Sequence, residues 1–434
     1  MEKEEVMSEY KRIVEKLFIK KPEVKGKDKV LKVADYFGNP QNSFKVVHVT
    51  GTNGKGSVSV KTAVLLEKSG RKTGLFVSPH LSTVRERIQV DRKKITEEEF
   101  LTYYKIVKEC EDLLQLELSF FQFILIMSVI YFRDKQWDYV VIEAGIGGTH
   151  SQTNFLDSDY AVITSVGLDH MEFLGNTEEE ICRDKWGIIR EKIPVVIGPQ
   201  VHVDIVHEVW DKFSAKLIRI EPKEDQTFMM INQQISNSVY DQILLNDCNV
   251  GKLSDDEIKE ALNVSPPWRL QTIERKNIEM LCPELSTFPQ SVYMDVGHNS
   301  QAIIHMIKTV KLIHGEDISI YIVWSFSWKK DILSWLNILA DSAKEIRLTI
   351  AKHSRLIKLE KAESLISNFK QIEHSNREWL HDLEFDGDLK ANILASLSKI
   401  NEDQNENSVL VIWGSVFLME FWRDVFFIHQ LKDF

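Results

Sequence analysis

Short β-branched and apolar runs recur through the first two-thirds of the chain, separated by longer stretches in which apolar and polar positions mix. The runs at 45–50, 73–77, 139–143, 161–165 and 194–197 are apolar at nearly every position, as expected of strands buried on both faces. Helical patterns lie between them. One spans 57–69 and stops at Gly70, and two others open on Thr96 with Glu99 and on Thr177 with Glu180, each spaced as a capping box. Strands alternating with helices predict a parallel α/β sheet. The pattern breaks at Ser265-Pro266-Pro267-Trp268, because consecutive prolines cannot continue a helix. This places a domain boundary between residues 1–266 and 267–434. Beyond it, strands near 292–296, 319–323, 346–350 and 409–413 alternate with helical stretches and predict a second, smaller α/β domain, with a polar loop at 401–408.

Composition narrows the classes. A chain of 434 residues with 43% hydrophobic and 27% charged positions has the make-up of a folded protein of two or three domains. The net charge of -11 argues against nucleic acid or an anionic membrane as partner. Cys110, Cys182, Cys248 and Cys282 are far apart and form no CxxC pair, which fits a reducing compartment, the cytoplasm. The N-terminal stretch mixes both charge signs and carries no targeting signal. The most apolar stretches, 120–132 and 409–422, are short or interrupted by Gln122 and Glu420, whereas a spanning helix needs about 20 apolar residues. They are expected to be buried core elements.

Chemistry enters at Gly51-Thr52-Asn53-Gly54-Lys55-Gly56-Ser57, a glycine-rich turn between a predicted strand and a predicted helix. Glycines let backbone N–H groups converge on phosphate oxygens, and the helix N-terminus adds a favourable dipole. Lys55 supplies a positive charge, and Ser57 can support a magnesium ion. The spacing is shorter than GxxxxGK[ST], with two residues between Gly51 and Gly54 and Gly56 inserted before the hydroxyl. Glu143 and His170 each follow a predicted strand at its carboxyl end, where open α/β sheets place ligands. On the residues alone, Glu143 is equally a turn cap, His170 a loop histidine and Lys185 a surface lysine.

The segment TGTNGKGS resembles the phosphate loop of the Mur-ligase superfamily, and in particular that of folylpolyglutamate synthase and dihydrofolate synthase. Further matches follow in order: GLFVSPHLSTVRERI at 74–88, DYVVIEAGIGG at 138–148, ITSVGLDHMEFLG at 163–175, DKWGIIR at 184–190, PPWRLQ at 266–271, MDVGHN at 294–299 and WGS at 413–415. The resemblance implies a P-loop ATPase domain followed by a Rossmann-like domain. The activity it implies is ATP-dependent addition of L-glutamate to a folate through an acyl phosphate, with ATP and two magnesium ions as cofactors. It assigns Gly51–Ser57 with Asn237, Arg269 and Asp295 to the nucleotide, and Ser57, Ser78, Glu143, His170 and Lys185 to magnesium. Lys55, Lys185 and His298 stand at the reacting groups, and Pro79, His80, Gln122, His150, Ser151 and Gln152 on the acceptor side. In related ligases the lysine matching Lys185 is carbamylated, which turns a cation into an anion.

The acceptor side departs from the family pattern. Where GGRxDATN is common, the chain reads Gly147-Gly148-Thr149-His150-Ser151-Gln152-Thr153-Asn154. Gln122 replaces the usual glutamate after a phenylalanine, Gln233 replaces a histidine, and the stretch 222–262 reads as abbreviated. The missing arginine tilts the expectation toward polyglutamylation of reduced folates, with dihydropteroate as the alternative acceptor and a non-catalytic ATP- or folate-binding homologue as the alternative from another class. A GTPase is disfavoured because no NKxD motif is present. A cell-wall Mur ligase is disfavoured because about fifty residues precede the loop, too few for a nucleotide-sugar domain. A monomer is expected.

Overall fold

The computed structural model describes residues 3–202 except 22, 24 and 25, then 213–325, 332–349, 385–386, 389–415 and 425. The chain divides into two compact units, Met1–Pro266 and Pro267–Lys432. Both are α/β.

The first unit is built on an eight-stranded sheet in the order β4-β3-β2-β5-β1-β6-β7-β8. Its strands are β1 (Lys45–Thr50), β2 (Thr73–Phe76), β3 (Ile88–Val90), β4 (Lys93–Lys94), β5 (Tyr139–Glu143), β6 (Tyr160–Ile163), β7 (Pro194–Ile197) and β8 (Lys216–Arg219). Six strands run parallel, and β3 and β4 add an antiparallel edge. Alternate residues of the central strands serve opposite faces, as the strand period of two requires. Val46, Val140 and Ile142 join helices α1 (Lys3–Phe18), α2 (Asp28–Tyr36), α4 (Glu97–Leu113) and α5 (Phe120–Asp134) in one core. Val47, Val49 and Val141 join α3 (Lys55–Lys68) and the helix Phe228–Asn246 in another.

Helix α3 is buried at every position from Ser57 to Leu66, so its polar residues need internal partners. The fully buried Lys61 donates from Nζ to the Leu262 and Val264 carbonyls and to Ser265 Oγ, tying this helix to the end of the helix Asp255–Asn263. The capping boxes at Thr96/Glu99 and Thr177/Glu180 form as the spacing predicts.

The second unit carries a six-stranded sheet in the order β13-β12-β11-β14-β10-β9, parallel except for β9 at its edge. The strands are β9 (Gln271–Thr272), β10 (Ser291–Asp295), β11 (Ser319–Ser325), β12 (Glu345–Thr349), β13 (Phe385–Asp386) and β14 (Ser408–Gly414). Trp324 and Trp413 are register neighbours on β11 and β14 and stack at 5.7 Å, with Trp335 beside both. The expected core element at 409–422 is seen as β14, and its remainder from 416 lies outside the described residues. The stretch 222–262 holds two helices, Phe228–Asn246 and Asp255–Asn263. No helix among the described residues is long and apolar enough to cross a membrane.

At the amino ends of the central strands, Asp247 closes the helix Phe228–Asn246 and accepts from Lys45 Nζ (2.8 Å), Tyr139 Oη (2.7 Å) and the Asn249 amide (3.0 Å). Burial opposes its charge, but the donors from Lys45, Tyr139 and Asn249 prevail and hold its carboxyl well below the usual range. A carboxylate with a depressed folded pKa contributes stability above its unfolded value, near 3.9, and loses it as pH falls toward the folded one. Asp247→Ala leaves the buried Tyr139 hydroxyl without its acceptor and is expected to destabilise the first unit by about 1–3 kcal/mol at neutral pH. Urea titrations at pH 7 and below pH 4 check this, and the gap between wild type and variant should narrow at the lower pH.

Candidate active site

At the carboxyl ends of the strands, β1 runs into the glycine-rich turn and the turn into α3. Gly51 has φ +150° and Gly54 φ +87°. A Cβ on Gly51 would lie 1.9 Å from Thr164 Oγ1, and one on Gly54 would lie 2.5 Å from Asn232 Oδ1. Only glycine fits at either place. The segment after β6 braces the loop from the side: Thr164 Oγ1 (2.6 Å) and Ser165 Oγ (3.0 Å) both donate to the Asn53 carbonyl, and the Asn53 amide donates to Ser165 Oγ (2.9 Å). Lys55 opens α3 and donates from Nζ to the Gly51 (3.0 Å) and Thr52 (3.1 Å) carbonyls of its own loop. Ser57 lies buried in the first turn of the same helix.

Glu143 ends β5 beside this loop, and its carboxylate would be only 3.5 Å from a Cβ on Gly56. One of its oxygens accepts from the Ser78 amide at 2.8 Å. Arg87, also buried, acts electrostatically on both Glu143 and Glu86. Burial lowers its pKa to about 10 and the two carboxylates oppose that shift. Arg87 Nε donates to His80 Nδ1 at 2.8 Å, and burial, with the Arg87 charge, pushes the His80 pKa down to about 3. His80 is thus neutral at physiological pH. Glu86 accepts from the Leu81, Ser82 and Thr83 amides and shapes the turn that follows the exposed Pro79.

Lys185 ends α7 (Glu178–Lys185) and is 2% exposed. Burial, and after it the Lys55 charge, lowers its pKa to about 7, while Asp184 and Asp169 act in the opposite direction. Two lysines of one sign therefore share this end of the unit. The paired glycines explain how the backbone comes so close. A Cβ on Gly148 would lie 2.5 Å from the Asp184 and Lys185 carbonyl oxygens, and one on Gly187 would lie 2.3 Å from Thr149 Cα. Asp184 then accepts from the Gly148 amide through its carboxylate (2.7 Å) and from Thr149 Oγ1 through its carbonyl (3.0 Å). His170 has φ +52° and opens the short helix α6 (Met171–Leu174), next to Asp169.

Other expected residues take structural positions. Gln122 is fully buried and closes a capping box with Ser119 at the start of α5, a role that a glutamate fills equally well. Ser151 caps the turn Gln152–Phe155 through the Thr153 amide, Gln152 is buried, and only His150 of the three is exposed. Asn237 donates to Asp241 one turn along its own helix. Asn232, five residues earlier, is the asparagine that faces the loop at Gly54, and its buried Oδ1 has no hydrogen-bond partner among the described residues. It was missed because its signal is spatial. In the second unit, Asp295 ends β10 and accepts from the Leu270 (2.8 Å) and Gly297 (2.6 Å) amides. Burial raises its pKa against the neighbouring Arg269. His298 Nδ1 lies 3.1 Å from the Val296 carbonyl, and Asn299 caps the helix that follows.

Comparison with known proteins finds similar sequences and similar folds. Residues 49–236 match the Mur ligase middle domain. The folylpolyglutamate synthase of Lacticaseibacillus casei is 39% identical over 175 residues, a match that spans 39% of this chain and 41% of that protein. The dihydrofolate synthase/folylpolyglutamate synthase of Bacillus subtilis is 29% identical over 310 residues, 63% of this chain and 69% of that one. Among solved structures, Mycobacterium tuberculosis folylpolyglutamate synthase, complexed with ADP and AMPPCP, superposes with a TM-score of 0.79 at 21% identity, over 97% of this chain and 99% of that chain. Residues 49–236 are thus similar to a Mur ligase middle domain, the chain resembles folylpolyglutamate synthases and dihydrofolate synthases in sequence, and its fold is that of the solved folylpolyglutamate synthase.

Proposed function

We propose that the protein is an ATP-dependent ligase that joins the amine of L-glutamate to the carboxylate of a reduced folate. The observation that carries this reading is the grouping of Lys55, Glu143 and the enclosed Lys185 at the carboxyl end of one parallel sheet, where open α/β sheets bind ligands. A carboxylate and an amine do not condense in water, and transfer of a phosphoryl group to the carboxylate converts a poor oxygen leaving group into phosphate. Such a transfer needs positioning and charge neutralisation more than covalent help from protein. Lys55 now spends its donors on the loop's own carbonyls, which phosphate oxygens would replace.

The residues fit a nucleotide and a hard cation. The partnerless Asn232 Oδ1 beside Gly54 is a buried acceptor with no donor among the described residues. Among those residues no group of three or more His, Cys, Asp or Glu forms a ready metal cage. That suits magnesium, which takes one or two protein oxygens and completes its shell with water and substrate phosphates. Ser57 and Glu143 are the oxygen donors best placed for it, with Ser78, His170 and a carbamylated Lys185 assigned on the family motif. When bound, magnesium supplies charge neutralisation at the transferring phosphoryl group. Arg269, Asp295, His298 and Asn237 are retained on motif alone. The buried Cys110, Cys182 and Cys282 are free thiols, as is exposed Cys248, which suits a reducing compartment such as the cytoplasm.

The deciding experiment is phosphate release from magnesium-ATP and glutamate, with tetrahydrofolate and dihydropteroate compared as acceptors. Release that requires both glutamate and tetrahydrofolate supports the reading. Release with dihydropteroate alone reassigns the protein as a dihydrofolate synthase, and release with neither leaves a nucleotide-binding homologue. Lys55→Ala should lower turnover about a hundredfold or more with the thermal transition unchanged, and near-full turnover would remove the phosphate loop from the reaction. For Lys185, the low pKa leaves much of the amine neutral near pH 7, as carbamate formation requires. Intact mass spectrometry in bicarbonate buffer should show one added carboxyl group that Lys185→Arg abolishes. An unmodified chain whose rate ignores bicarbonate would remove the carbamate from the scheme.

A further inference from the structure

Two of the departures from the family pattern, Gln122 and Gln152, reach main-chain carbonyls three residues apart, at Gly26 and Glu23. Gln152 Nε2 donates to the Glu23 carbonyl, Gln122 Nε2 reaches the Gly26 carbonyl at 3.5 Å, and the Gly26 amide donates to the His150 carbonyl at 3.3 Å. Lys27 Nζ adds a bond to the Asn154 carbonyl at 2.9 Å. The chemistry is specific to the residues present. An alanine at 152 has nothing to reach Glu23, and a glutamate carboxylate at 122 cannot donate to a carbonyl. Both glutamines are enclosed, Gln122 at 0% and Gln152 at 4% exposure, so each amide is held in place.

The main chain they hold belongs to the rim of the candidate site. At one end, Phe18, half-exposed at the end of α1, stacks on Phe120 at 5.0 Å, with His80 against both rings and the Arg87 guanidinium over Phe120 at 5.1 Å. At the other end, His150 follows the glycines packed on Lys185. Glu23 and Gly26 lie in sequence between that aromatic pair and α2, and their bonds land on the Gly147–Asn154 turn. An acceptor that offers its carboxylate near Lys185 would lay the rest of its length along this rim.

We propose that Gln122 and Gln152 form an amide latch that fixes the backbone at Glu23 and Gly26 against the Gly147–Asn154 turn, and that the latch sets acceptor preference toward the reduced folate. The inference rests on the ligase reading. Gln152→Ala and Gln122→Glu install the residues common in the family. In the single and double variants, the ratio of kcat/KM for tetrahydrofolate to that for dihydropteroate should fall about tenfold per lost hydrogen bond, while the KM for ATP holds within about twofold. A ratio unchanged while both acceptors decline together would overturn the proposal, since a purely structural role predicts that. Amide exchange at Gly26 tests the latch itself, whatever the activity: it should be at least about tenfold faster in Gln152→Ala than in wild type. Unchanged exchange overturns the latch. Wild type that turns over neither acceptor, with exchange accelerated as expected, overturns the ligase reading and the acceptor assignment and leaves the latch standing.

Discussion

Everything at the phosphate-loop end of the first unit depends on two stretches of main chain lying in contact, Gly147-Gly148 against Asp184 and Lys185. A Cβ on Gly147 would lie 2.2 Å from Asp184 Oδ2 and one on Gly148 2.5 Å from the Asp184 and Lys185 carbonyl oxygens, so the contact requires that neither position carry a side chain. It seals the turn onto the end of α7 and shuts the Lys185 amine away from water beside Lys55. Burial and a neighbouring cation both disfavour a proton on that nitrogen, which is why its pKa falls to about 7 rather than staying near that of a surface lysine. A neutral amine is the form that adds carbon dioxide, so a lowered pKa favours a carbamate at Lys185 on the proposed reading.

The rest of the unit holds that contact in register. Asp247, at the far end of the sheet, joins β1 and β5 to the helix Phe228–Asn246, the same helix that brings Asn232 to Gly54. Helix α3, buried from Ser57 to Leu66, therefore has its loop fixed from one side by Thr164 and Ser165 and its flank by that helix. A phosphate loop needs such bracing, because its backbone amides act on phosphate only if they already converge before the ligand arrives.

How much of this was legible in the sequence follows from the range of each interaction. Strands β1, β5 and β7 fall on their expected residues because each is a continuous apolar run bounded by turn formers, and the Thr96 and Thr177 caps are readable because partner and donor are three residues apart. The hairpin β3–β4 and the edge strands β8 and β9 escaped, being two to four residues long and only partly apolar. At the site, Lys55, Glu143 and Lys185 stood in motifs. Arg87, Asp184 and Asn232 did not stand out, because what distinguishes them is a partner that the fold supplies from a distant part of the chain: Glu143 for Arg87, Gly148 for Asp184 and Gly54 for Asn232.

The same distinction of range bears on the departures from the family pattern. Gln122, His150 and Gln152 look unrelated along the chain, and a loss of function would scatter its effects. Here Gln122 and Gln152 bring two amide donors to bear on the Gly26 and Glu23 carbonyls. On the proposed ligase reading, two substitutions that make the same kind of bond to one stretch of the chain mark the acceptor side, and not the phosphate loop, as the place where this chain differs from the family pattern.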